Sequence, residues 1–140
     1  MKNKISDERA IENLMVAYAF ANDDADIARL GELFKDATFW IDQMSAKGKE
    51  EISAVATSMI QVLENGRSAT THEITNIIIE IAQDGLSASA QAYWTLYKTV
   101  SGEPRTAVMS GRYSDKFTFG KDNWHFLERK ASVLWQLEKP

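Results

Sequence analysis

The sequence has no cysteine, two prolines and two histidines in 140 residues, and its apolar stretches are short. Without cysteine there is neither a disulfide framework nor a thiol nucleophile. The absence suits a reducing compartment, and a cytoplasmic location is the expectation. No apolar run approaches the roughly 20 residues that cross a bilayer, and residues 1–9 are too polar to hold the apolar stretch of a signal peptide. Two distant histidines, with no cysteine and no histidine pair at helical spacing, give no metal-ligand pattern. There is no glycine-rich phosphate loop, and Ser110-Gly111 lacks the flanks of a nucleophile elbow. The chain is therefore expected to work without metal or cofactor. Basic charge is scarce too: 16 Lys and Arg against 20 Asp and Glu leave a net charge of -4. Nucleic acids and anionic membranes call for concentrated cationic patches. Lys2 and Lys4 do not make one, so neither partner is expected.

What is present describes a folded domain. Hydrophobic residues make up 44% and charged residues 26%, enough to bury a core, and the length suits one domain over residues 1–140. The first half reads as helical. Asp7 and Glu8 favour a helix start by complementing the dipole, and Ile11, Leu14, Met15 and Tyr18 form one apolar stripe. The pattern frays at Asn22, Asp23 and Asp24. Asp26 suits the N-cap of a shorter helix with Ile27, Leu30, Leu33 and Phe34 inside. Residues 38–42 read as a short strand, Gly48 breaks the pattern, and a third helix presents Ile52, Val55, Met59 and Ile60. Asn65-Gly66 suits a left-handed cap that ends it.

The second half changes character. Residues 70–82 are rich in isoleucine and threonine, a β-prone composition. Turn signals follow at Asp84-Gly85, Ser101-Gly102 and residues 120–123, dividing the rest into strands over 87–100, 105–119 and 124–137. Pro104 sits at a strand start, where its missing N–H is tolerated. Helices followed by hairpins predict an α+β fold rather than a parallel wrap. Strands of about a dozen residues curl through twist and bulges. Helices across the concave face would then enclose a pocket.

Several local runs resemble one family. They are residues 10–14 with Tyr18, Asp23-Asp24, residues 33–37, residues 71–76, residues 110–115, and Trp124-His125-Phe126 followed by Arg129. In this order they resemble SnoaL-like domains of the nuclear-transport-factor-2-like superfamily. The resemblance implies a cone formed by a curved antiparallel sheet and closed by three helices of the N-terminal half. It further implies kinship with dehydratases acting on scytalone or bile-acid intermediates, hexachlorocyclohexane dehydrochlorinase, ketosteroid isomerase and polyketide cyclases, and with non-enzymatic dioxygenase subunits. By this resemblance His72 is the base, Asp23 orients it, and Tyr18 points into the pocket.

The residues themselves fit such chemistry without compelling it. A neutral imidazole, with an unperturbed pKa of about 6.5, is the natural general base near neutral pH; a structural histidine bonded to a carbonyl would suit the same strand start. Asp23 could fix the His72 tautomer, yet Asp23 and Asp24 both sit where carboxylates commonly cap helices. Tyr18 belongs to the apolar stripe, and its hydroxyl could polarise a carbonyl or protonate a leaving group. Two-residue alternation puts Asn76 on the face of His72 and Ile74, as a substrate-binding candidate. Tyr113 shares a face with Gly111 and Asp115. Arg129 could steady a developing oxyanion, although alternation puts it opposite Trp124 and Phe126 unless a bulge intervenes. His125 is expected to meet solvent, and the four tryptophans to build core or subunit interface. The expectation is a cofactor-free lyase or isomerase acting on a small cyclic or aromatic, polyketide-like substrate. A non-catalytic binding or subunit module is the alternative. Apolar residues on both faces of residues 70–82 suggest a homodimer or homotrimer through the outer face of the sheet.

Overall fold

The computed structural model describes residues 5–138, so Lys2 and Lys4 lie outside it. Helix α1 (Asp7–Asp23) opens on Ser6, whose hydroxyl accepts the Arg9 N–H at 3.1 Å. Ile11, Met15 and Tyr18 are its buried stripe. Helix α2 (Ile27–Leu33) is capped by Asp26, whose carboxylate accepts from the Arg29 N–H, and it buries Leu30 while Phe34 fills the core just beyond it. A short hairpin follows, β1 (Thr38–Ile41) and β2 (Met44–Lys47). The sequence gives β2 no signal: apart from Ala46 its side chains are exposed, and a strand so polar reads as loop.

Helix α3 (Gly48–Met59) starts at the glycine read as a break, which has φ +79°. It ends when Ile60 turns extended, not at Asn65-Gly66. Those two residues instead turn an irregular segment back on itself, with Leu63 donating to the Arg67 carbonyl and Val62 bridging Ser68. The chain is then delivered to β3 (Thr70–Ile81), β4 (Ser87–Lys98), β5 (Thr106–Gly120) and β6 (Asn123–Gln136).

Among the described residues the strands form one unclosed sheet in the order β2-β1-β6-β5-β4-β3. The long strands pair antiparallel, as do β1 and β2. The β1–β6 pair is parallel, because the chain crosses by way of α3 before the hairpins begin. The α+β architecture with a curved sheet under helices is therefore as expected, with a mixed edge. Register shifts in β3, in the β4–β5 pair and in the β5–β6 pair curl the sheet. One of them falls at Gly111, where an added Cβ would overlap the Ser132 carbonyl and lie 2.6 Å from the Trp94 ring. Only glycine lets that indole lie flat across β5. The concave face carries Ala88, Ala90, Ala92 and Trp94 of β4, then Tyr113 and Phe117 of β5, with Phe126 of β6. Helix α1 packs along β3, and α2 against α3.

Candidate active site

The end of α1 is tied to the start of β3 through one carboxylate. Asp23 accepts the backbone N–H of His72 at 3.0 and 3.2 Å, and its Oδ1 lies 2.7 Å from His72 Nδ1. A carboxylate only accepts, so Nδ1 carries the proton and Nε2 is the basic nitrogen of the neutral ring. Both side chains are nearly enclosed, 10% exposed for Asp23 and 9% for His72. Asp24, one residue on, points to solvent and pairs with Arg67 at 3.2 Å.

Beneath the helices the concave face leaves a cavity of about 260 Å³. Its walls are mainly apolar: Leu30, Phe34 and Phe39 on one side, Ile52 and Met59 of α3 on another, Trp94 and Met109 from the sheet. Polar groups reach it from His72, Tyr18, Tyr113, Asn22 and Thr70. Tyr18 meets His72 edge-on with ring centroids 5.7 Å apart, and Tyr113 at 6.0 Å. Burial pushes the Tyr18 hydroxyl up to about 12, with Arg129 and the polar side chains of Asn22 and Tyr113 pulling against it. Burial, reinforced by Tyr18, lifts Tyr113 well above the ordinary phenol range. Both hydroxyls are proton donors at neutral pH.

Arg129 is fully buried behind the tyrosines. Its Nε and Nη2 donate to the two oxygens of Asp115 at 2.9 and 2.8 Å, and its guanidinium lies 3.8 Å over the Tyr113 ring. Nη1 has no hydrogen-bond partner among the described residues. Burial works against the charge, but the attraction and hydrogen bonds of Asp115 outweigh it and raise the guanidinium pKa. A bulge at Leu127 turns Arg129 inward: Phe126 faces Phe117, and the register then resumes with Glu128 opposite Lys116. That extra residue reverses the alternation. Arg129 therefore stands under the tyrosine rings, and the cavity wall does not include it.

Asn76 needs a correction for the same reason. β3 carries one extra residue between Thr75 and Ile78, Asn76 takes a left-handed φ of 56°, and its side chain is exposed. The bulge breaks the alternation that put it beside His72. His125 is half-buried with Nε2 against the Gly120 carbonyl, so it does not simply face solvent. Trp94 and Trp124 are core, while Trp135 is largely exposed. Asp115 carried a signal that alternation alone leaves unpartnered: a carboxylate in an inward series with Tyr113 and Phe117. Asn22 carried none, being one more polar residue at a helix end.

The chain belongs to the SnoaL-like domain family, whose model matches residues 3–130. No curated protein matches it. Its structure is similar to an NTF2-like protein with a cystatin-like fold from Novosphingobium aromaticivorans, with TM-score 0.76, 20% identity, and 91% of this chain and 82% of that one covered. A proposed scytalone dehydratase from the same organism superposes with TM-score 0.74 at 20% identity, covering 95% and 87%. The beta subunit of a proposed aromatic-ring-hydroxylating dioxygenase, again from that organism, gives TM-score 0.71 at 19% identity, covering 89% and 87%. These likenesses establish a nuclear-transport-factor-2-like fold. Among the described residues no helix is long and apolar enough to cross a membrane, and no three candidate ligands cluster to hold a metal ion.

Proposed function

We propose that the cavity catalyses a cofactor-free proton transfer of the lyase or isomerase type on a small cyclic, largely apolar substrate. The observation that carries this is the 2.7 Å contact of Asp23 with His72 Nδ1 at the wall of an apolar cavity that Tyr18 and Tyr113 also line. His72 Nε2 takes a proton from a carbon beside a carbonyl, or from one adjacent to the carbon that bears a hydroxyl. The freed electron pair forms the double bond. In a dehydration the substrate hydroxyl departs as water with the Tyr18 proton, and the proton on His72 Nε2 then returns to the Tyr18 oxygen; in an isomerisation the Tyr18 hydroxyl steadies the enolate oxygen while Nε2 returns its proton to another carbon. Asp23 holds the tautomer and stabilises the imidazolium. Arg129 contributes positive charge through the tyrosines rather than by contact.

The test is turnover on a panel of cyclic β-hydroxyketones, followed by enone absorbance, and of cyclic ketones, followed by α-proton exchange. His72→Ala and Asp23→Asn should each lower the rate by about 10²–10⁴ with the circular dichroism spectrum unchanged. A folded His72→Ala protein with full turnover sinks the reading. The shared fold with a dioxygenase beta subunit favours a second reading, a subunit module without chemistry. It expects ligand-independent association with a larger partner and no turnover on any member of the panel.

A further inference from the structure

The Asp23–His72 pair has two sides. His72 lines the main cavity, and it also lines a second hollow of about 180 Å³ formed by Val16, Ala19, Phe20 and Asp23 of α1 with His72 and Ile74 of β3. Asp23 borders this groove and is not part of the cavity wall. The pair is thus the partition between the main cavity and a second groove beside α1. The groove rim holds Phe20, which is 65% exposed, and the Asp23 carboxylate borders the same groove.

We infer that this groove is the solvent port of the Asp23–His72 pair, the route by which its shared proton exchanges with water while a ligand fills the cavity. An apolar ligand dries the cavity, so water reaches the Asp23–His72 pair from the groove alone. On the groove side the path is short: Nδ1–H, the carboxylate, then a groove water. When a C–H proton arrives at Nε2, the Nδ1 proton of the imidazolium passes by way of the carboxylate to a groove water as a second water returns one, so the ring keeps its Nδ1–H against Asp23. The Nε2 proton then goes to the Tyr18 oxygen, which gave its own proton to the departing hydroxyl, and the histidine returns to its starting form. Phe20 acts as a loose cover that limits how many waters reach the carboxylate.

The inference rests on the proton-transfer reading above, but its test needs no turnover, so the two fail separately. In ¹⁵N-labelled protein the Nδ1–H resonance of His72 is monitored and its exchange with water measured by saturation transfer. Ala19→Leu, which narrows the groove, should slow exchange at least about tenfold, and Phe20→Ala, at an exposed position that leaves the fold intact, should speed it several-fold. Tetralin, added until the Trp94 indole shift saturates, should change the rate by less than about twofold. Rates unaltered in both variants overturn the inference. So does a slowing by tetralin as large as that expected of Ala19→Leu, because exchange would then run through the cavity. Should Ala19→Leu not fold, the Phe20→Ala acceleration decides alone.

Discussion

The two buried carboxylate–cation pairs invite comparison because they flank the same tyrosines and are built so differently. Asp115 and Arg129 face each other across adjacent strands, 0% exposed on both sides, with a bidentate geometry that leaves the proton nowhere to go. Asp23 and His72 bridge the end of a helix and the edge strand of the sheet, each about a tenth exposed, and the cation is one that exists only after it has taken a proton. The first is a fixed charge in a rigid place. The second is a titratable pair at a seam between two solvent-reaching spaces. Placement in the fold, more than residue type, separates a scaffold charge from a site that can work.

The sharpest way to break this contrast is to remove one partner of the fixed pair. Asp115→Leu or Arg129→Met should each cost about 3–5 kcal/mol, because the survivor is left buried without its counter-charge. The paired replacement Asp115→Leu with Arg129→Met should cost less than either single change, since a hydrophobic pair avoids the desolvation altogether. Urea unfolding of the four proteins forms the cycle. Single losses below about 1 kcal/mol would mean that water reaches the pair and that it is not the sealed charge described.

Why the sequence disclosed one pair and not the other follows from the bulges. The helix stripe, the caps at Asp26 and the hairpin turns are local and were readable from spacing. The contact of Asp23 with His72 joins residues 49 apart, and only the family resemblance singled out Asp23 over Asp24. Asp115 with Arg129 depends on one extra residue at Leu127, and Asn76 left the site through one extra residue in β3. Two-residue alternation is exact only while the register holds, and a single inserted residue inverts every side chain beyond it. A four-residue exposed strand such as β2 is invisible for a different reason: its pairing with β1 is set by backbone, and its composition is that of a loop.

The next test asks whether the tyrosines between the two pairs feel the burial that distinguishes this region. Tyr18 ionises at about 12 in the fold against 10.0 for a free phenol. The unfolded chain therefore releases its proton first as pH rises. Stability from this residue is intact below pH 10 and falls between about 10 and 12, by roughly 2–3 kcal/mol over the interval. Tyr113, shifted the same way, adds to the slope. Urea midpoints measured from pH 9 to 11.5 should decline, and Tyr18→Phe should flatten the decline without abolishing it. An unchanged slope in Tyr18→Phe would show that the hydroxyl is hydrated and that the cavity floor is wetter than its lining indicates.

The smallest effect tests the comparison most directly, because it alters the neighbouring residue and should do almost nothing. Asp24 follows Asp23 in the chain, carries the same charge and forms its own ion pair, with Arg67 at 3.2 Å. That pair is about half exposed on each side, and such pairs contribute about 0–1 kcal/mol, less as salt screens them. Asp24→Asn should shift the urea midpoint slightly at low ionic strength and not at all in high salt. It should leave turnover on any active member of the panel, and the Nδ1–H exchange of His72, at the parent values. Asp23→Asn must differ on both readouts, because its oxygen is the one that meets Nδ1. If Asp24→Asn instead lowered turnover as far as Asp23→Asn, the carboxylate that serves His72 in solution would be exchanging between the two positions. The seam would then be looser than the three hydrogen bonds to Asp23 make it.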